Sequence, residues 1–392
     1  MESDTPEHLP RQVDQPNFSD TPMTTHNYSV LLVGNYASDN QQSMLRFTAT
    51  LAENLQRLGV KVVVTRPPMV FGRIARDKPR LKKLAGYFDK FVLFPLMLLK
   101  SARAHRVVHI ADQSNALYLP VIGAHKTILT CHDLFAVRMA LGEYSQNRGT
   151  MRGGILQRLN LRGLRRLRHV TTVSAATSDD FFRIAGKDAT LTLIPNALDP
   201  RFQGAPSPLA RQSPPAAPYF LHLGNNNFYK NRPGVVRLFG ELARFNMFSE
   251  HRLVLAGKMP DGDLQDEIDR SPVRDRIDVR VNLTDEDVHS LYAGAEALLF
   301  ISLAEGFGWP IIEAQASGCL VVTSDREPMR SVAGDGAILV DPENPAQAAA
   351  AIAAAHEDFV RIREQGSANA ETYSSDMIFP RYLDVYREVV SG

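Results

Sequence analysis

Short apolar runs rich in Val, Ile and Leu alternate with longer stretches of helical period along nearly the whole chain, and the alternation runs through twice. A run that is apolar at every position is buried on both faces, and a helix that carries the chain back to the next run makes neighbouring strands parallel. The pattern therefore restricts the chain to α/β architecture. The first series is YSVLLVGNY (28–36), VKVVVT (60–65), RVVHIA (106–111), KTILTCHD (126–133), HVTTVS (169–174) and LTLIPN (191–196). Between its first two members Met44, Phe47, Leu51, Leu55 and Leu58 recur three or four apart, and Gly59 closes the helix they predict. The second series is YFLHLG (219–224), HRLVLAG (251–257), IDVRV (277–281), ALLFIS (297–302) and CLVVTSD (319–325). One of its helices is opened by Thr284 with Asp287 three residues on, a capping-box spacing.

The proline-dense, aperiodic stretch DPRFQGAPSPLARQSPPAAP (199–218) separates the series. The expected organisation is a disordered tail over 1–26, a first domain over 27–199, a linker over 200–218, a second domain over 219–373, and a terminal segment over 374–392 packing back toward the first domain. In that terminal segment Ile378, Tyr382, Val385, Tyr386 and Val389 form one helix face. Two doubly wound, Rossmann-like halves facing each other leave a cleft, and open parallel sheets bind ligands at the carboxyl ends of their strands.

With 44 basic against 43 acidic residues the net charge is +1, so no global field recruits nucleic acid. Cys131 and Cys319 stand far apart, which argues against a disulfide framework or a structural zinc site and fits a reducing cytoplasm. The longest apolar run, FVLFPLMLL (91–99), is too short to span a bilayer. Around it lie Arg73, Arg76, Lys78, Arg80, Lys82, Lys83, Lys90, Lys100, Arg103 and Arg106 against Asp77 and Asp89. Such a segment either rests on an anionic membrane surface, as a peripheral contact, or is a buried helix with a solvated basic flank.

The most informative stretch is LAEGFGWPIIEAQASGCLVVTSD (303–325). A strand, a turn with Gly306 and Gly308, a helix opened near Pro310 and a stop at Gly318 place bare backbone N–H groups at a strand's carboxyl end and a helix's positive end. Glu305 in the turn and Glu313 one turn into the helix can both reach a ligand resting there, and carboxylates suit the donor hydroxyls of a sugar. Glu early in a helix is also favoured by the dipole alone, so the weight falls on the whole assembly rather than on the spacing.

That assembly resembles the donor-binding motif of the retaining glycosyltransferases of family 4, and MRSVAGDGAILVDPENP resembles the segment that follows it. TVSAATSDDF, LIPNALDPRF, HLGNNNFYKN, LAGK and TCHDL resemble further segments of that family. The resemblance implies a GT-B fold and transfer of a hexose from a UDP- or GDP-sugar to a glycan or lipid-linked acceptor without a metal or other cofactor. By the same likeness Lys230, with Asn231 and Lys258 nearby, meets the diphosphate, Glu313 accepts from the ribose, and Glu305 with the amides of Phe307 and Gly308 holds the donor sugar. His132 stands by that sugar or serves only as a structural hydrogen-bonding residue. Apart from the likeness, Asp112 and Ser114 at the neighbouring strand end are placed to face the acceptor, and Gly34 with the helix start around Gln42 and Ser43 to approach phosphate, although this is not the family's glycine-rich loop. Where the family carries an Arg before the Lys, this chain has Tyr229. A basic, membrane-docked acceptor domain hints at bacterial surface polysaccharide assembly on the cytoplasmic face.

The Asp261/Asp263 and Asp285/Asp287 pairs sit before predicted helices and read as caps rather than as metal ligands. GNYASDN lacks the glycines of a dinucleotide loop, and neither a phosphate loop nor a hydrolase elbow occurs. The alternatives are a nucleotide-sugar epimerase on the same architecture and a non-catalytic nucleotide-sugar-binding subunit of a transferase complex.

Overall fold

The structure is a computed structural model that describes residues 27–39, 41–74, 79–144, 151–207, 210 and 212–391, without the side chains of 73–74, 79–83 and 151–152. The tail expected over 1–26, Arg76 and Lys78, and the side chains of Arg73, Arg80, Lys82 and Lys83 fall outside that description.

Two six-stranded parallel sheets carry the chain. The first is built from β1 (Ser29–Val33), β2 (Lys61–Thr65), β3 (Val107–Ile110), β4 (Thr127–Cys131), β5 (His169–Thr172) and β6 (Thr190–Leu193) in the order β2-β1-β3-β4-β5-β6. The second comprises β7 (Tyr219–Gly224), β8 (Arg252–Gly257), β9 (Ile277–Val281), β10 (Ala297–Phe300), β11 (Leu320–Ser324) and β12 (Ala337–Val340) in the order β12-β11-β10-β7-β8-β9. Eleven of these strands coincide with the apolar runs, and β12 does not figure among them. Its four residues, AILV, lie between Gly336 and Asp341 in a stretch too short to show a period.

Strand period places alternate side chains on opposite faces, and both faces are covered. Leu31 and Val33 of β1 pack with Phe94 and Leu98, whereas Val30 and Leu32 pack with Phe47, Leu51, Tyr382 and Tyr386. In the second sheet Leu299 joins Phe220, Phe239 and Leu253 on one face, while Leu298 and Phe300 join Leu221 and Ile311 on the other. The last helix, Pro380–Ser391, thus closes a face of the first sheet although its sequence follows the second. It is fixed there by the buried His109, which hydrogen-bonds Tyr386 OH at 2.7 Å and Thr130 Oγ1 at 2.8 Å. Burial pushes the His109 imidazole down to about 3, so the ring is neutral and one nitrogen accepts.

The apolar run at 91–99 splits between a π-helical turn, Asp89–Leu93, and a helix, Phe94–Arg103. Phe94, Leu98 and Ala102 are buried against the sheet, while Val92, Leu96 and Met97 face outward. Both predicted caps form: Asp261 accepts from Leu264 N, and Thr284 and Asp287 exchange side-chain and backbone hydrogen bonds. Order reverses at β1/β3 in the first sheet and at β7/β10 in the second, and the loops after β7 and β10 lie against the chain that leaves β4, through Tyr229 on Phe135 and Gly306 on His132.

Candidate functional site

The chain leaves β10 at Phe300 and re-enters a helix at Trp309, with Gly308 at φ +107° in the intervening turn. That backbone angle strains any residue with a Cβ, which is why glycine stands there. Gly306 is required for a different reason. A Cβ at Gly306 would stand 2.0 Å from the carbonyl oxygen of His132, so the turn of the second half lies directly against the end of β4 in the first. The Gly306 carbonyl accepts from Ser174 Oγ at 2.7 Å and from Thr177 Oγ1 at 3.1 Å, closing the same junction. These two residues open the helix Ala175–Ala185, where Ser174 also caps the N–H of Thr177. The S-x-x-T spacing is the signal for that cap, and only the fold shows that it also grips the opposite half.

Glu305 pairs with Lys230 Nζ at 2.7 Å, and both side chains are largely buried. Lys230 also lies 5.2 Å above the Phe300 ring and 5.9 Å above the Tyr229 ring, so its ammonium is held by one carboxylate and two π faces. Beside this pair Asp133 is half-buried. Burial raises its carboxyl to about 6, Glu305 adds to the rise, and the Phe135 N–H and Lys230 oppose it.

Glu313 occupies a separate position. It is buried, accepts from Tyr292 OH at 3.2 Å, and lines a cavity of about 280 Å³ shared with Ser43, Arg46, Asp199, Asp285 and Trp309. Burial raises its carboxyl to about 7, against the opposing charge of Arg46. Arg46 comes from the helix Gln42–Arg57 of the first half and pairs at 2.6 Å with Asp285, which opens the helix Asp285–Gly294 of the second. Arg201 binds the other oxygen of Asp285 and also Asp199. Glu305 and Glu313 therefore face one cleft but share no partner: one holds a cation and the other lines a cavity.

His132 is buried with Nε2 3.0 Å from the Ala111 carbonyl, while Nδ1 has no partner. Burial lowers its pKa, so the ring is neutral, donates from Nε2 and leaves Nδ1 a buried acceptor. Phe47 packs edge-on at 4.5 Å and Trp309 lies 6.0 Å away. His132 thus joins Glu305 and Glu313 at the cleft.

The remaining predicted residues are placed less directly. The Asp112 carboxylate caps Ser114 N at 2.7 Å and accepts from Asn35, so it is bound up in the loop. Gly34 gives its amide to the Thr65 carbonyl at 2.9 Å. Asn231, at φ +51°, donates to the carbonyls of Ile301 and Pro342 at 3.1 and 3.0 Å and so ties the loop after β7 to the ends of β10 and β12. Lys258 is exposed, and its carbonyl accepts from the buried Arg232 at 2.8 Å. Phe307 is buried edge-on to Trp309 and Tyr373. Tyr229 stacks on Phe135 of the first half at 4.8 Å, so where a phosphate-binding Arg was expected the chain has an aromatic contact across the cleft. Among the described residues no three His, Cys, Asp or Glu side chains converge to hold a metal.

This geometry agrees with comparisons to known proteins. The model of "Glycosyltransferase Family 4" matches residues 44–202, and that of "Glycosyl transferases group 1" matches residues 210–372. Successive models thus cover the first and second halves, and the chain belongs to glycosyltransferase family 4, with a GT-B fold. It is 30% identical over 128 residues to O-antigen chain mannosyltransferase B of Escherichia coli, covering 32% of this chain and 33% of that protein. It is 26% identical over 149 residues to GDP-mannose:cellobiosyl-diphosphopolyprenol alpha-mannosyltransferase of Xanthomonas oryzae pv. oryzae, covering 36% of this chain and 39% of that one. The matched stretches thus span about a third to two-fifths of these relatives. In fold it is similar to Anabaena Alr3699/HepE, solved with UDP and glucose, at TM-score 0.65 and 15% identity over 92% of this chain and 99% of that one. It is also similar to WaaG, a glycosyltransferase involved in lipopolysaccharide biosynthesis, at TM-score 0.66 and 13% identity over 91% and 99%.

Proposed function

We propose that the protein moves a hexose from a UDP- or GDP-sugar to a glycan or lipid-linked acceptor, with retention of anomeric configuration and without a metal, in the building of a bacterial surface polysaccharide. The observation that carries this reading is the buried Glu305–Lys230 pair at 2.7 Å in the glycine turn that abuts His132. A donor diphosphate gathers negative charge as the glycosidic bond breaks, and Lys230 is the cation at hand to meet it. Once Lys230 turns to the phosphate, Glu305 is released to accept hydrogen bonds from sugar hydroxyls. Glu313, at its cavity, accepts from the ribose. Nε2 of His132 is committed to Ala111 and Nδ1 is buried without a partner, so the ring can meet the sugar as positive charge develops only once the site rearranges around Nδ1.

The leaving phosphate helps remove the acceptor proton on the same face, and closure of the cleft limits hydrolysis. The named mannosyltransferase relatives favour GDP-mannose among the donors. The exposed apolar residues Val92, Leu96 and Met97 beside Lys100, Arg103 and Arg106 support a peripheral contact with an anionic membrane. The deciding experiment is transfer from GDP-mannose and UDP-sugars to lipid-linked glycan extracts in the presence of EDTA, with Glu305→Ala as control. Loss of transfer in a folded Glu305→Ala protein is expected, and unchanged turnover refutes the site.

A further inference from the structure

The first half carries a groove that the cleft chemistry does not use. It lies between Phe91, the turn Gln113–Tyr118 with Pro120, and the helix Met151–Leu164, and encloses about 320 Å³. Its walls are Phe91, Leu117, Pro120, Leu156 and Leu159, and Arg162 and Arg166 stand exposed at its edge.

Three observations say what it takes. Apolar residues stand exposed on the elements that wall it: Leu159 and Ile155, on the helix Met151–Leu164, are 47% and 54% exposed, and Leu84, Phe88, Val92 and Leu96, four residues apart on the segment that carries Phe91, are 60%, 45%, 45% and 67% exposed. Phe91 joins that stripe to the groove. The charge is of one sign, because 151–178 contains Arg152, Arg158, Arg162, Arg165, Arg166 and Arg168 and no Asp or Glu. Arg158, Arg162 and Arg166 repeat every fourth residue, and none is ion-paired with a described residue. Lastly, one turn links the groove to the cleft, since Gln113 at its start accepts from the His132 N–H at 2.9 Å. The turn that supplies Leu117 begins at Asp112, at the carboxyl end of β3, and six residues of 3₁₀ turn rise about 12 Å.

We propose that this groove binds the hydrocarbon tail of a phosphate-linked lipid acceptor, with Arg162 and Arg166 meeting the phosphates and the glycan reaching past Asp112 into the cleft. The acceptor role rests on the proposed function; the tail site does not. A bilayer face meets a broad surface, whereas a concave site of this volume holds about ten groups the size of a water or a methylene, which is roughly two isoprene units. That favours one chain over a membrane plane as the occupant of the groove.

The test is calorimetric titration of the full protein with farnesyl diphosphate below its micelle concentration, against inorganic pyrophosphate. The proposal expects farnesyl diphosphate to bind at least about 100-fold more tightly, since each buried methylene is worth roughly fourfold. Leu159→Asn, at a half-exposed position that tolerates a polar residue, should erase most of that difference. Arg162→Gln with Arg166→Gln should weaken both ligands about tenfold or more. Equal affinity for the two ligands, or an unaltered difference in Leu159→Asn, overturns the proposal. If Leu159→Asn lowers co-sedimentation with phosphatidylglycerol vesicles while farnesyl diphosphate binds no better than pyrophosphate, the groove meets a bilayer and the tail site is likewise overturned. Nucleotide-induced thermal shifts keep the two readings apart: their absence in the wild type counts against the proposed function and leaves tail binding to be judged alone.

Discussion

Glu313 offers a quantitative prediction because its environment is at odds with its charge. Burial lifts its carboxyl from an ordinary 4.5 to about 7, a difference worth roughly 3 kcal/mol. A carboxyl whose pKa is raised on folding favours the folded state when protonated, so the advantage is complete below about pH 4.5 and is lost as pH rises through about 7. Glu313→Gln removes the titration while its amide oxygen still accepts from Tyr292. The variant's Tm should equal the wild type's near pH 4 and exceed it by several degrees at pH 8. On the proposed reading nucleotide binding should reverse the preference, because ribose hydroxyls would donate to the carboxylate and draw it into the ionised form. Calorimetry of GDP or UDP binding at pH 7 in two buffers of different ionisation enthalpy should find about half a proton released in the wild type and none in Glu313→Gln. A variant no more stable than the wild type at pH 8, or wild-type binding without proton release, refutes the reasoning.

Other residues give sharper yes-or-no outcomes. Gly306→Ala brings a Cβ within 2.0 Å of the His132 carbonyl, so the halves cannot close; transfer should fall at least about 100-fold while nucleotide binding, read by thermal shift, persists. Lys230→Ala leaves Glu305 buried without its cation and should cost about 3 kcal/mol by denaturant unfolding, which Glu305→Gln in the same chain should largely restore. Tyr292→Phe withdraws the hydroxyl that helps hold Glu313 ionised, so the rise of activity with pH should move upward. Tyr229→Arg removes the stacking on Phe135 and adds a cation; nucleoside diphosphate affinity should rise severalfold by titration calorimetry, and a fall shows that the aromatic contact itself holds the site.

Which parts of this were legible in the sequence follows from the range of the interactions. Strand positions came from runs such as LLV at 31–33 and LLF at 298–300, whose burial on both faces leaves no polar residue to blur them. The caps at Asp261 and Thr284 are local and were read locally. β12 escaped because four residues between turn formers carry no period. The dual use of Ser174, Thr177 and Asn231 also escaped, since each binds backbone more than 69 residues away. Arg46 and Asp285, 239 residues apart, form a pair that only the docking of the two halves creates. Asp112 and Gly34 sit at the strand ends where they were expected, but the loop's own capping and a sheet hydrogen bond absorb their polar groups.

The most direct test of the transferase reading is a thermal-shift screen of the purified protein against UDP, GDP, TDP and their sugars, with magnesium or with EDTA. A ligand that binds only the folded state stabilises it by about 2.7 kcal/mol at a hundredfold excess over Kd. The reading predicts a shift with one base, equal with and without magnesium and weakened in Glu313→Ala. No shift with any nucleotide contradicts it.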